Sequence, residues 1–441
     1  MEKSTISNQN RIPLWKPLTV RNFLLLYIGE TVSLLGDQFY VIALPWLTIQ
    51  LTNSGITLGT VLMTAAIPRA VLMLFGGVFS DRFSPRLVMF ISNALRGVLI
   101  VVFATIVALK ATQLWHIYLF AISIGTLDGF FIPASKAIIP SLVPKEQLVT
   151  SNTLSQGTSQ LILLIGPALG GLLIAASGIE TVFAIDGITF AITTVTLLMM
   201  KEVTSKAKIF NGESDQAVSS EDSHGRNSTA KNSIPSKNSK SLNLIAGMRE
   251  GLYYVWRNQS LRVVLLVLVI LNFLFIGPLR VGITSLAHNR FVGGAVALGI
   301  MQSAWGGGGL LGTLAPQFVP NLPKMGILLL SIASIQGIGM FLLSFTGNIV
   351  LASTTIAVLG LCSGLFTVVG ITWIQKQTQP EMLGRVMSLG MFSSFGVAPI
   401  SFAVAGILAN LNLTLLFSAA GSMMLAINIL LAVNPSVRRI S

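Results

Sequence analysis

Charge is what this chain of 441 residues lacks most. Only 10% of its residues are charged, against roughly 25% in a typical soluble domain. The hydrophobic share is 53% and the mean hydropathy +0.79, which excludes a water-soluble globular protein. Acids are scarcer than bases, 15 Asp and Glu against 28 Lys and Arg, for a net charge of +13. In a soluble chain that excess would suggest nucleic acid. Here the bases lie between apolar runs, where they set membrane topology, so no nucleic-acid partner is expected. The single cysteine, Cys362, sits inside an apolar run and excludes an intrachain disulfide. Three scattered histidines, His116, His224 and His288, have no metal-ligand company and supply no Ser/His/Asp constellation. No Walker loop is present to cradle ATP phosphates. An enzyme, an ATP-driven pump, a resident metal and a bound cofactor are therefore not expected.

Long apolar runs are abundant. A bilayer core takes about 20 apolar residues per helix. About twelve candidates lie near 23–49, 57–80, 87–109, 115–140, 158–178, 181–200, 262–287, 295–319, 326–346, 348–375, 385–410 and 412–433. Arg11, Lys16 and Arg21 precede the first, Arg82 and Arg86 follow the second, and Lys136 and Lys145 flank the end of the fourth. Lys324, Lys376, Arg385, Arg438 and Arg439 continue on the same alternate side, while the other side holds little beyond Lys110 and Arg290. The positive-inside rule makes that side, and both termini, cytoplasmic. Met1 to Pro17 is polar and basic without the apolar core of a cleaved signal, so the first run is expected to stay.

The stretch NGESDQAVSSEDSHGRNSTAKNSIPSKNSKS interrupts this pattern. It is rich in Ser and Asn and cannot bury enough surface to fold, so a disordered linker is expected. Its continuation, LNLIAGMREGLYYVWRNQSLR, is amphipathic and reads as a helix lying along the inner membrane surface. The expected organisation is a first bundle of six helices over residues 1–200, a cytoplasmic linker over 201–260 and a second bundle over 261–441. A faint repeat supports it. Gly312 to Phe318 resembles Gly77 to Phe83 at an offset of 235 (312 − 77), and Pro380-Glu381 matches Pro144-Lys145 at 236 (380 − 144).

Three motifs narrow the class. GGVFSDRFSPR, Gly76 to Arg86, joins two apolar runs by a short charged turn. Gly77, Asp81, Arg82 and Arg86 resemble the loop between helices 2 and 3 of the major facilitator superfamily, roughly G-x-x-x-D-R-x-G-(R/K)-(R/K). Ser84 and Pro85 depart from that pattern. FFIPASKAIIPSLVPKEQLVTSNTL, Phe130 to Leu154, resembles the region of helices 4 and 5 in the macrolide-efflux and enterobactin-exporter branch. IGPALGG, with Gly166, Pro167, Gly170 and Gly171, resembles that superfamily's helix 5 antiporter motif. The resemblance implies an all-α membrane protein, twelve transmembrane helices in two six-helix bundles, moving between two states. It also implies that Asp81 pairs with Arg82 or Arg86 and holds an inner gate against helix 11; solvated charges that only enforce topology are the alternative. The small residues of the helix 5 motif remove side chains, letting backbones approach closely, and Pro167 removes a donor and favours a kink.

Charges inside the apolar runs carry the mechanism. Asp37, Arg69, Arg96 and Asp128 stand at the middle of the first four runs. At a rise of about 1.5 Å per residue they share one membrane depth. An ionised side chain at a helix centre costs roughly 2.5–3.5 kcal/mol on the mildest scale, so pairing is expected. Two roles remain open: a static network locking four helices, or a proton exchanged by one Asp while an Arg holds or releases it. The family resemblance, which implies that helices 1 and 4 border a central cavity, favours Asp37, with Asp128 as the second candidate. Glu30 is another acid on the first run, for the proton path, an inner gate or simple pairing. Asp186 is expected to serve helix packing. Arg280 and Gln302 are the main polar residues expected toward the cavity in the second half, with Gln375 nearer its inner end, and Trp46, Trp305, Trp373 and Phe392 either pack or line an apolar path. The second half has no embedded acid.

The expected function is a monomeric secondary transporter of a prokaryotic plasma membrane, exchanging protons for an amphipathic drug-, macrolide- or siderophore-like molecule in contact with membrane lipid. Metabolite uptake, facilitated passage and a non-transporting scaffold or sensor on the same fold are the alternatives.

Overall fold

The computed structural model describes residues 13–82, 84–201, 250, 252–318 and 325–433, with no side chains described at 74–82, 260, 380, 381, 384, 388 and 394. The charged part of the linker therefore lies outside the described residues. Among those described the chain is helical, without strands. The first bundle holds α1 (Arg21–Thr52), α2 (Gly55–Arg82), α3 (Pro85–Ala108), α4 (Leu114–Leu142), α5 (Leu148–Ser177) and α6 (Ile179–Met199). In the second, α7 combines Gln259–Gly277, a π-helical turn at Pro278–Gly282 and Ile283–Arg290. There follow α8 (Gly294–Leu314), α9 (Met325–Leu343), α10 (Ile349–Gln377), α11 in two pieces (Pro380–Phe395 and Ala398–Leu411) and α12 (Leu413–Val433).

Eleven candidate spans are long and apolar enough to cross a membrane. The remaining helix, α8, has the length, 21 residues, but carries Gln302 and the run Gly306–Gly309. It packs between α5 and α10, where small residues serve better than large apolar ones. Three boundaries differ from the sequence expectation. α5 begins at Leu148 rather than near 158, because the polar stretch Leu148 to Gly157 continues the helix beyond the apolar run. α11 is interrupted at Gly396 and Val397, ahead of Pro399 at the start of its second piece; proline has no N–H to continue the ladder. α7 widens into its π turn at Pro278 for the same reason. Of the expected inner-surface helix, residues 252–257 are helical, with Val255 buried against α7 and α9 and Glu250 held by Arg385 at 2.6 Å.

Glycine sets the spacing inside each bundle. A Cβ on Gly125 of α4 would strike the Ala65 carbonyl of α2, and one on Gly360 of α10 would strike the Trp305 carbonyl of α8. These glycines stand 235 residues apart (360 − 125), and so do Gly129 and Gly364 (364 − 129), which repeat the contacts one turn on. The structural repeat thus shares the offset of the sequence repeat. Gly308 of α8 meets the Ala357 carbonyl, while Gly306, two residues away, meets α5 at Leu163. The glycine run serves close packing on two sides of one helix.

Between the bundles, close approach is concentrated from mid-depth to the end that carries residues 53, 54, 290–293 and 412. Gly59 of α2 lies against Phe402 and Gly406 of α11, and Gly171 of α5 against Ala295 and Gly299 of α8. Asn53 ends α1 in the left-handed region, φ 49°, and its side chain bonds the His288 ring at 2.8 Å. The largest apolar cluster joins Ile42, Trp46, Ile49 and Leu58 of the first bundle to the core of the second. At the other end the first piece of α11 touches α2 only marginally.

Two substitutions separate these roles. Gly308→Val forces α8 from α10 within one bundle, an overpacking worth about 1–3 kcal/mol, and should lower the melting temperature in detergent. Gly171→Val should leave both bundles folded but pry the closed end apart. In a Cys362→Ala background, buried Leu58→Cys should then label faster with a water-soluble maleimide, and unchanged labelling would refute the assignment.

Candidate functional site

Four helices bring their central charges together. Asp128 of α4 accepts from two guanidinium groups: Arg69 Nη2 of α2 reaches Oδ2 at 2.5 Å, and Arg96 Nη2 of α3 bonds Oδ1. Arg96 is the most enclosed, 2% exposed, with its guanidinium 4.6 Å from the Phe131 ring centre and 5.6 Å from that of Phe190. Those ring faces lend a desolvated cation further stabilisation. The sequence led to an expectation of compensating pairs, and the geometry differs: one acid serves both bases. Asp37 of α1, half-buried, supplies the second negative charge within electrostatic reach of Arg96, Arg69 and Asp128, yet has no ion pair of its own among the described residues. A carboxyl near two cations but locked to neither can gain or lose a proton without breaking the framework.

Asp186 of α6 joins this group. Its side chain is wholly buried, lies against Gly36 next to Asp37, and is within electrostatic reach of Asp37 and Arg96. Oδ1 accepts only a long 3.4 Å contact from Thr189 Oγ1, and Oδ2 has no hydrogen-bond partner. The sequence suggested helix packing because Asp186 stands only seven residues into its helix. The available signal was an acid inside the apolar run FAIDGITF opposite a small residue on α1. Glu30, half-buried on α1, lies seven residues from Asp37, about 10 Å along the axis.

The second bundle answers with one cation and an apolar chamber. Arg280 stands in the π turn of α7, and its Nη1 approaches the buried Gln302 Oε1 at 3.5 Å. Gln375 is exposed on α10. A cavity of about 290 Å³ opens among α7, α9, α10 and α11, lined by Asn272, Phe275, Gln336, Phe366, Met387 and Met391. Of the expected aromatics, Trp46 packs edge-on to His288 at 5.6 Å, Trp305 packs at 5.5 Å from Phe275, Trp373 is buried and Phe392 is exposed. The chamber's own aromatic and Met residues were hidden in the sequence, because an apolar run does not reveal which of its faces meets a void.

The charged turn and the α5 motif also find local causes. Gly77, Asp81 and Arg82 fall in the last two turns of α2, where the side chains lie outside the described residues. Ser84 and Pro85, the departures from the family pattern, start α3: Ser84 Oγ accepts from the Leu87 N–H at 3.3 Å and Pro85 occupies the first turn. Arg86 donates through Nε and Nη2 to the Leu197 and Leu198 carbonyls, 2.9 and 3.0 Å, capping the end of α6. In the α5 motif, Gly166 and Gly170 face Gln38 and Phe39 of α1, while Gly171 faces α8. Pro167 cannot donate to the Leu163 carbonyl, and that carbonyl lies against Gly306 of α8. One residue on, the Ala168 N–H donates to Ser303 Oγ at 2.9 Å, so α5 bonds across the bundles.

Two six-helix bundles packed closely at one end, with charges at mid-depth, define a multi-pass membrane transporter. The family model described as Major Facilitator Superfamily matches residues 26–403, and the chain belongs to that family. It is similar over 425 residues to macrolide efflux protein A of Streptococcus pyogenes, 24% identical, covering 95% of this chain and 97% of that protein. It is similar over 427 residues to multidrug efflux pump Tap of Mycolicibacterium fortuitum, 23% identical, covering 95% and 96%. Among solved structures the fold is shared by nucleoside transporter NupG, TM-score 0.67 at 16% identity over 93% of this chain and 97% of that one. A POT family transporter in complex with 5-aminolevulinic acid gives TM-score 0.66 at 15% identity over 96% and 97%.

The shared acid makes a ranking testable. Asp128→Asn leaves buried Arg96 and Arg69 without their common partner, a break worth about 3–5 kcal/mol. Asp37→Asn removes no ion pair. In detergent the melting temperature should fall far more for Asp128→Asn, and equal losses would contradict the geometry.

Proposed function

We propose that this transporter exports an amphipathic small molecule from a prokaryotic cell in exchange for protons entering, with Asp37 as the group that loads and releases the proton. The carrying observation is Asp37 itself: a half-buried acid in the middle of α1, within electrostatic reach of two arginines already engaged by Asp128. When the closed end opens, water reaches the cleft from the other side and the balance between hydration and the arginines' field changes. Such a group can bind a proton from one side and deliver it to the other. Residues 1–200 and 261–441 are the two moving bundles in this reading, with 201–260 as a cytoplasmic linker, and the end bearing Arg86 and Lys145 faces the cytoplasm by its positive charge. The closed end is then the outer one, and this is the state that takes substrate from inside. The relatives' names, macrolide efflux protein and multidrug efflux pump, agree with that direction. The apolar chamber beside Phe275 and Phe366 suits the apolar part of an amphiphile. Asp81 of the charged turn serves as the inner-gate anchor.

The test is flux in proteoliposomes under an imposed proton gradient. Asp37→Asn should abolish gradient-driven accumulation, a loss of tenfold or more, roughly the effect of removing an essential acid–base group, while counterflow exchange of substrate persists. Accumulation by Asp37→Asn equal to the unmutated protein's would remove Asp37 from the role. Flux indifferent to the gradient would favour facilitated passage, and no flux for any substrate would favour a scaffold or sensor.

A further inference from the structure

Arg280 is the charge that the network does not account for. It stands at the π turn of α7, where a helix widens to five-residue hydrogen bonding, a geometry frequent at functional sites. Among the described residues no carboxylate lies within ion-pair distance of it. Its polar contact is the amide oxygen of buried Gln302, at a long 3.5 Å, and the charge within its electrostatic reach is another cation, Arg69 of the opposite bundle. The π turn touches α2 marginally, and Arg280 and Arg69 lie within electrostatic reach of each other where the bundles meet. Arg69 gives Nη2 to Asp128, but its Nε is buried and has no hydrogen-bond partner. Two guanidinium groups, each with unused donors, thus stand within electrostatic reach of each other, one on each bundle.

Such an arrangement is unfavourable while empty and favourable once an anion enters, because guanidinium forks match carboxylate and phosphate oxygens two at a time. We propose that Arg280 and Arg69 form a split anion site, and that the molecule carried is an amphiphile with an anionic head, its apolar body lying in the neighbouring chamber. A carboxylate bridging the two arginines draws the bundles together at mid-depth, which couples binding to the change of state. The division of labour within the first bundle fits: Asp128 engages Arg69 and Arg96, Asp37 lies in their field, and Asp186 is buried behind α1, so none reaches across to Arg280. The proposal deepens the export reading by naming the substrate's charge, and it leans on that reading only for the direction of travel. With export, an anion leaving and a proton entering both move positive charge inward, so an interior-negative potential drives each.

The experiment is equilibrium binding to the purified full chain in an uncharged detergent, with no gradient present, using naphthylacetate and its neutral isostere naphthylacetamide as probes. The carboxylate should bind roughly tenfold or more tightly than the amide, the strength of a charge-assisted hydrogen bond. Arg280→Gln should bring the carboxylate down to the amide's affinity, and Arg280→Lys, which keeps the charge but loses the fork, should fall between. Equal affinities in the unmutated protein, no binding of the carboxylate, or a preference that survives Arg280→Gln would each overturn the proposal. The first comparison needs no variant and so holds even if Arg280→Gln fails to fold. Failure here leaves the flux behaviour of Asp37→Asn untouched, and failure there leaves this binding preference untouched.

Discussion

A guanidinium group at the middle of a bilayer must find negative charge, and that demand organises this protein. Arg96 is sealed among Phe131 and Phe190 and depends on Asp128; Arg69 depends on the same carboxylate. One acid therefore fixes α2, α3 and α4 to one another at mid-depth. With Asp128 committed, Asp37 is left in the field of both arginines without being tied to either. A part held by ion pairs and a carboxyl held by none thus lie within electrostatic reach of each other, the separation that the proton exchange proposed above would need.

Movement requires the opposite property, contacts that form and break without side chains to unpick. Backbone-to-backbone approaches at Gly59, Gly171 and Gly299 supply them at the closed end. Their cost is small because they rest on dispersion and shape and not on buried charge. Inside the bundles the same device, at Gly125, Gly308 and Gly360, is backed by extensive neighbouring helix contacts and holds each half together. The α5 motif sits at the boundary of these two uses: Gly166 and Gly170 face α1 of the same half, while Gly171 and the carbonyl freed by Pro167 face α8 of the other.

Much of this was legible in the sequence. Apolar runs of about 20 residues, alternating basic loops and a repeat near 235 residues lead to twelve helices in two bundles, because each signal follows from a bilayer's thickness and polarity. The central charges were legible for the same reason: four helices entering at known depths must carry Asp37, Arg69, Arg96 and Asp128 to one level. What stayed hidden was anything decided by rotation about a helix axis. The sequence could not tell that Asp128 would take both arginines, that Asp186 would point at Gly36, or that Arg86 would cap α6. Nor could it reveal the π turn that frees Arg280, since one proline predicts a break but not its geometry. Gly306 to Gly309 stand as a run in the sequence, and only the fold divides their contacts between α5 and α10.

The central claim is that substrate and proton move in opposite directions through one cleft. The most direct measurement places a pH-sensitive dye inside proteoliposomes, sets the proton gradient to zero and applies a substrate gradient alone, with a macrolide, a catecholate and an aromatic carboxylate as the panel. The account predicts that a substrate moving down its own gradient drives protons the other way, seen as a change of internal pH that stops when the substrate gradient is dissipated. Substrate movement with no accompanying change in internal pH would contradict it.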